Sequence, residues 1–267
     1  SQGLNRYSGY ETKSYVVDQS DKRIIKSVSD INNHFGQLLV LETSGKLFDY
    51  QYQQNTFKEL FAGKDMRANC LATLSKSKVN IGLQNGLLVY DLQKDQASEL
   101  LFPKLSFIRL IRIHFGKIYV GTSRGIAVFT YEKGSDKLIQ EKVLLKGKDV
   151  LHFAFDHRGR IWVGTENSGL ATRQIALEKG DYALVSIDRL GLFVLDANFQ
   201  VKEVFKHNPD DENSLSQNSI YEIYVDGNNV FWLGAKESGI DLIYPESNPF
   251  HNISHIPNLT NSIQDNN

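Results

Sequence analysis

The sequence predicts an all-β fold, a seven-bladed β-propeller of four-stranded antiparallel blades, and three observations carry that expectation. A unit made of a short β-rich run, a polar turn ending in glycine and a second apolar run recurs along the whole chain. Its turn glycines, at 45, 86, 125, 169, 191 and 239, are spaced by 41, 39, 44, 22 and 48 residues. A period of about 40 to 45 residues with four short strands per unit is that of a propeller blade, whereas a helical repeat of that length would carry a 3.6-residue periodicity that no long stretch here displays.

The unit is read in 38–50, 79–91, 118–129, 161–170, 183–196 and 231–244, and Gly3-Leu4-Asn5-Arg6-Tyr7 is the second half of a seventh. Within a unit the first, innermost strand is apolar and alternating, as in Val150–Phe155 and Ile220–Val225. A tight turn follows: Asp156-His157-Arg158-Gly159 and Asp226-Gly227-Asn228-Asn229 supply the Asx side chains and positive-φ residues that hairpins need. The second strand is of the Trp162-Val163-Gly164-Thr165 type, its glycine admitting a neighbouring blade. The third begins at the turn glycine. The fourth, outermost strand is a looser run such as Thr56–Phe61 or Val201–Phe205.

This scheme gives a half blade at 2–17 and units near 24–61, 68–102, 106–145, 149–180, 181–207 and 218–256. The first blade is incomplete. The interval between Gly169 and Gly191 is short by one outer and one inner strand, which is read as residues missing there, since a gap in a closed propeller would expose unpaired strand edges. Residues 1–256 are therefore expected to form the propeller and 257–267 a polar linker to further chain, with the natural protein longer at both ends.

Composition excludes several classes. With 30 Lys and Arg against 31 Asp and Glu there is no cationic surplus to hold nucleic acid or anionic lipid, so neither nucleic-acid nor membrane contact is expected. The longest apolar runs fall far short of the roughly 20 residues that cross a bilayer as a helix. Aromatic residues at 11% and charged residues at 23% are those of a folded chain, not a disordered one. The single cysteine, Cys70, has no partner within the chain and leaves the redox compartment unread.

The run Asp156-His157-Arg158-Gly159-Arg160-Ile161-Trp162-Val163-Gly164-Thr165, continuing to Gly169-Leu170, resembles the two-component regulator propeller repeat: an Asp-x-x-Gly turn, Trp-Ile-Gly-Thr, then Gly-Leu. The linker 207–220 is similar to that family's inter-blade connection, and Gly3–Tyr7 to the end of its first blade. The match is strong at 149–170 and 207–244, whereas 24–61 and 68–102 lack the Trp and the Thr. The resemblance implies the N-terminal sensor propeller of a hybrid two-component protein: the periplasmic part of an inner-membrane protein, non-enzymatic itself, with histidine kinase activity outside these residues. It further implies an oligosaccharide ligand, control of glycan-utilisation genes, and a homodimer in the full-length sensor.

The alternative from another class is a propeller-type glycan-cleaving enzyme, a hydrolase or lyase. The Asp156 to Trp162 spacing also resembles the Asp-box hairpin of sialidases, but there the Asp is a structural turn, and no spacing here identifies a catalytic acid pair or arginine cluster. A WD-type protein-binding platform is disfavoured by the absence of Gly-His and Trp-Asp signatures. No catalytic residue, metal ligand or cofactor is assigned. His251 and His255, and His152 and His157, are the close histidine pairs, and residues four apart on a strand lie about 13 Å from each other. Asp210-Asp211-Glu212 reads as a solvated turn rather than a calcium site. Trp162 and Trp232 read as packing residues rather than sugar platforms.

The candidate ligand site is geometric. In a propeller the turns between second and third strands gather at one mouth together with the connections between blades, and here their tips are polar: Thr43-Ser44, Gln84-Asn85, Ser123-Arg124, Glu166-Asn167-Ser168, Asp188-Arg189 and Lys236-Glu237-Ser238. Such groups suit a hydroxyl-rich ligand. The residues carried forward are Arg124, Glu166, Asn167, Asp188, Arg189, Lys236 and Glu237.

Overall fold

A computed structural model describes residues 4–15, 25, 27–63, 66–98, 102, 105–132, 137–156, 158–166, 172–177, 182–198, 200–211, 213–244 and 250–253. The expected linker 257–267 lies outside these residues. The chain divides into two compact units, the first essentially residues 1–149 and the second 150–267, with 9–12 grouped with the second.

The first unit starts with a two-stranded sheet of β1 (Asn5–Tyr7) and β2 (Thr12–Ser14). Three four-stranded sheets follow: β3 (Val28–His34), β4 (Gln37–Glu42), β5 (Leu47–Gln51) and β6 (Thr56–Phe61); then β7 (Ala68–Ser75), β8 (Lys78–Leu83), β9 (Gly86–Asp91) and β10 (Gln96–Ala97); then β11 (Ile108–His114), β12 (Lys117–Thr122), β13 (Gly125–Glu132) and β14 (Lys137–Leu144). Each is a meander in which every strand pairs antiparallel with the next. The second unit holds a two-stranded sheet of β15 (Val150–Phe155) and β16 (Ile161–Thr165). Two four-stranded meanders follow it: β17 (Thr172–Leu177), β18 (Tyr182–Ile187), β19 (Gly191–Asp196) and β20 (Val201–Phe205), and then β21 (Ile220–Val225), β22 (Phe231–Ala235), β23 (Gly239–Ile243) and β24 (Phe250–Ile253).

Within each unit the first strands of successive sheets stand beside one another, β3 with β7 and β7 with β11, then β15 with β17 and β17 with β21. This is the stacking of propeller blades, and the all-β propeller of four-stranded antiparallel blades is the observed architecture. The expected number is corrected: among the described residues five blades are four-stranded, not seven, and the other two sheets have two strands each. The partition of 149–207 is corrected too. Thr172–Leu177, placed at the outer end of one unit, is instead the first strand of the next, pairing with β18 from Thr172 opposite Ile187 to Leu177 opposite Ala183. Only six residues separate Thr165 from Thr172, too few for two further strands after β16. The shortfall is therefore a third and fourth strand, not an inner one.

The apolar runs are nearly continuous because both faces of a blade are covered. On β8, Val79, Ile81 and Leu83 point toward Leu39, Leu41 and Leu47 of the preceding sheet. Across the opposite face of that sheet, Cys70, Ala72 and Leu87 meet Ile108, Ile111, Ile118 and Phe129. In the second unit Leu184 and Leu192 pack with Ile220, Ile223, Phe231 and Leu233. Trp162 packs on Ile175, Val185 and Ile187, the packing role expected for it.

Two glycines show why the repeat keeps that residue. A Cβ on Gly82 would lie 2.4 Å from Cys70 Sγ and 2.7 Å from Ile108 Cγ2, so the second and third blades approach through it, as the second-strand glycine was expected to permit. Gly191 has a φ of +96°, and a Cβ there would lie 2.2 Å from the Phe205 carbonyl oxygen, a backbone atom with nowhere to go. Gly36 has a similar φ of +88° but open space around its would-be Cβ. Gly36→Ala should therefore cost about 1 kcal/mol of backbone strain, and Gly191→Ala roughly 1–3 kcal/mol more through the clash. Urea unfolding of the two variants side by side measures the difference, and equal losses would contradict this account.

Candidate functional site

In the first unit the turns between second and third strands are tied to the connections between blades by a run of backbone hydrogen bonds. Ala68 N donates to Thr43 O at 3.1 Å, Gln84 N to Arg67 O at 2.9 Å, and Phe107 N to Gln84 O at 2.7 Å. Asn69 Nδ2 donates to Ile108 O at 2.7 Å, and Ser123 Oγ to Ser106 O at 3.2 Å. These bonds satisfy turn groups that would otherwise face one another unpaired, and they draw side chains from three successive blades to one edge.

The result is an open cleft of about 630 Å³ lined by Thr43, Ser44, Arg67, Asn69, Gln84 and Phe107, with Ala68 at its base. The lining offers hydroxyl, amide and guanidinium groups together with a Phe107 ring that is 40% exposed. Phe107 holds a φ of 50°, and the Arg109 guanidinium lies 4.8 Å from its ring centroid. Arg109 in turn grips Asp149 through a fork of hydrogen bonds of 2.8–3.1 Å. The aromatic wall is thus held from behind by a paired cation. Among the described residues no carboxylate and no histidine lines the cleft. Ser44 Oγ on its wall donates to Glu42 Oε2 at 2.9 Å.

In the second unit a corresponding edge forms around Ser219. Its Oγ donates to Asp188 Oδ1 at 3.0 Å, and its carbonyl accepts from Lys236 N at 3.0 Å. Gly191 N donates to Asn218 O at 3.0 Å, so the 188–191 and 236–239 turns are both pinned to the same connection. Of the residues expected to contact ligand, Asp188, Lys236 and Glu237 are brought together here. Lys236 Nζ lies 3.7 Å from Glu237 Oε1. Arg189 is exposed on the same turn with a φ of 63°. Glu166 is exposed just beyond β16, and Asn167 lies outside the described residues, as do His157 and His255. Arg124 belongs to the first unit and lines a different cleft from the polar one. The connection 207–219 is a network of local turns: Asn208 N donates to Ser214 Oγ at 2.9 Å, and Asn213 N to Asp211 Oδ1 at 2.9 Å. Asp211 therefore serves a turn, as expected.

Of the polar cleft, sequence reasoning named the tips Thr43, Ser44 and Gln84 but missed Arg67, Asn69 and Phe107. Those three lie on the connections and the first residues of β7, whose place beside the tips is set by cross-strand hydrogen bonds, not by spacing. The available signal was their position immediately before, or one residue into, a first strand.

The Asp-x-x-Gly turns prove to be hairpin caps. Asp156 Oδ1 accepts from Arg158 N at 3.0 Å and Arg160 N at 2.8 Å, while Oδ2 accepts from Trp162 Nε1 at 3.2 Å and from Arg160 Nε. Asp226 does the same with Asn228 N, Val230 N and Trp232 Nε1 at 2.8–3.0 Å. Asp91 and Asp196 cap their hairpins with two backbone donors each. Burial alone would raise the Asp156 pKa, but the donors from Arg160, Trp162 and Arg158 outweigh it and hold the carboxyl at about 2. Asp226 is also lowered, chiefly by the Trp232 indole.

The two component regulator propeller family matches residues 144–167, the stretch that contains this capped hairpin. No curated protein matches the chain by sequence. Among solved structures, the chain is similar to the extracellular domain of the proposed hybrid two component system BT4673 from B. thetaiotaomicron. The identity is 18% and the TM-score 0.74, over 96% of this chain and 36% of that one. It is also similar to the WD40 β-propeller domain of Doa1, at 10% identity and a TM-score of 0.64, over 94% of this chain and 88% of that one. At these identities the likeness is one of fold. The chain spans just over a third of the BT4673 extracellular domain.

A carboxyl whose pKa is depressed in the folded state stabilises above its unfolded pKa, about 3.9, and loses that contribution as pH falls through the folded value. The Asp156 cap should therefore contribute fully above about pH 4 and fade between about pH 4 and 2. Asp156→Ala should cost about 2 kcal/mol at neutral pH by orphaning the hairpin donors, with a loss that shrinks toward pH 2. Denaturant melts of the two chains across that range read this out, and a pH-independent difference would refute the cap.

Proposed function

We propose that this chain is the sensor propeller of a hybrid two-component signalling protein and that it binds an oligosaccharide without cleaving it. The observation that carries this reading is the chemistry of the polar cleft. Hydroxyl, amide and guanidinium groups converge beside an exposed aromatic ring, the combination that recognises sugar hydroxyls and a sugar's apolar face. Glycoside cleavage calls for two carboxyl groups flanking the scissile bond, and among the described residues the lining has none. The regulator-propeller match at 144–167 and the fold shared with the BT4673 extracellular domain support placing such a module outside the cytoplasm.

In the fuller protein this propeller is periplasmic and tethered to the inner membrane. A histidine kinase lies elsewhere in the chain, two copies associate, and ligand binding controls genes for glycan use. The β1–β2 and β15–β16 sheets are read as two further, two-stranded blades. The edge around Asp188, Lys236 and Glu237, with Arg189 on the turn of Asp188, is a second surface available to ligand or to the partner copy, and Glu166 and Asn167 are further candidate ligand residues.

Thermal unfolding against a panel of oligosaccharides tests this. At a ligand concentration about 100 times Kd, binding to the native state alone adds about 2.7 kcal/mol and raises Tm by several degrees. Asn69→Ala and Gln84→Ala should each weaken that response about tenfold, with no reducing ends released. Turnover of the sugar, or a response indifferent to both substitutions, would defeat the proposal.

A further inference from the structure

A second cleft of about 690 Å³ lies on the third four-stranded blade, beside the connection that leads into it, and shares no lining residue with the polar cleft. Its apolar surface comes from Phe102, Leu105, Ala127 and Val143. Phe102 is braced against Phe129, ring centroids 4.6 Å apart, and Ala127 is buried on β13. Val143, on β14, is 39% exposed. A volume in this range suits one small molecule.

Two cations, Arg124 and Lys146, stand on the lining. They sit on adjoining turns, because Gly147 N donates to the Arg124 carbonyl at 2.9 Å and holds the 145–147 turn against the 123–124 turn. Among the described residues neither side chain forms an ion pair, and two carboxylates of this stretch are engaged by other cations. Asp149 is held by Arg109 at 2.8 Å, and Glu141 by Lys117 at 2.5 Å. Among the described residues the cleft therefore presents positive charge next to an apolar wall. A hydrophobic molecule with no charge would leave both cations unused, and a free sugar would leave the apolar wall uncovered.

We propose that this cleft binds an amphiphilic anion, with a hydrocarbon or ring body against Phe102, Leu105 and Val143 and a carboxylate or sulfonate head held by Arg124 and Lys146 through charge-assisted hydrogen bonds. The site is independent of the oligosaccharide reading. Arg124, singled out in the sequence as a ligand residue, acts here on a different ligand class from the one its turn position suggested.

The test is calorimetric titration of the chain with dodecanoate and, matched in length, dodecanol. Dodecanoate is expected to bind at least tenfold more tightly. The double substitution R124Q and K146Q, at two exposed positions, should remove that advantage and leave dodecanol unchanged, while Val143→Trp should block both. Circular dichroism melts check that each variant folds, and K146Q alone carries the charge test if the double variant does not. Equal binding of acid and alcohol, unaltered dodecanoate affinity in the charge variants, or no binding of dodecanoate would each overturn the proposal, and none of these bears on oligosaccharide binding in the polar cleft.

Discussion

Everything at the functional edge of the first unit depends on how the turn of one blade is hydrogen-bonded to the connection entering the next. The bonds from Ala68 N to Thr43 O, from Gln84 N to Arg67 O and from Phe107 N to Gln84 O leave no freedom in where the connection runs. Each satisfies a peptide group that would be costly to leave unpaired at a blade junction. The side chains that line the polar cleft are carried by that backbone. Their convergence follows from satisfying peptide groups, and the cleft's polar chemistry is laid over it by residue choice: amides, hydroxyls and one guanidinium.

A second constraint operates at the opposite ends of the strands. The hairpins between β15 and β16 and between β21 and β22 are closed by an Asp, Asp156 and Asp226, that gathers two backbone donors and an indole N–H six residues on. This explains why aspartate and tryptophan travel together in the strongest repeats. The ring of Trp162 fills the space against Ile175, Val185 and Ile187, and its polar atom is satisfied at the hairpin. Where the tryptophan is absent, as in the β7–β10 blade, aspartate caps the later hairpin, through Asp91 with Gln93 N and Lys94 N.

The blade architecture was legible because a propeller repeat writes itself locally: a glycine where a Cβ would strike backbone, a two-residue alternation, an Asx turn. The strands around Gly45, Gly86, Gly125 and Gly239 fall where the pattern places them. The partition of 149–207 was misread because Thr172–Leu177 carries no turn glycine of its own and begins after only six residues, so nothing local marks it as a first strand. The site was half legible. Turn tips are adjacent in sequence to the glycines that reveal them, whereas Arg67, Asn69 and Phe107 enter the cleft through hydrogen bonds to Gln84 and Ile108, which no local spacing encodes. Arg124 was found by position, while its neighbours on the 145–147 turn are set by the hydrogen bond from Gly147 N to its carbonyl.

The close approach at Gly82 has a bearing on covalent chemistry. Cys70 Sγ sits where a side chain on that glycine would be, buried to 4% exposure, and desolvation pushes its thiol far above the ordinary range. In an oxidising compartment a lone thiol invites crosslinking between copies, and this one is sealed inside a seam between two blades. Any association of two such chains must therefore be non-covalent at this position, unless the seam first parts.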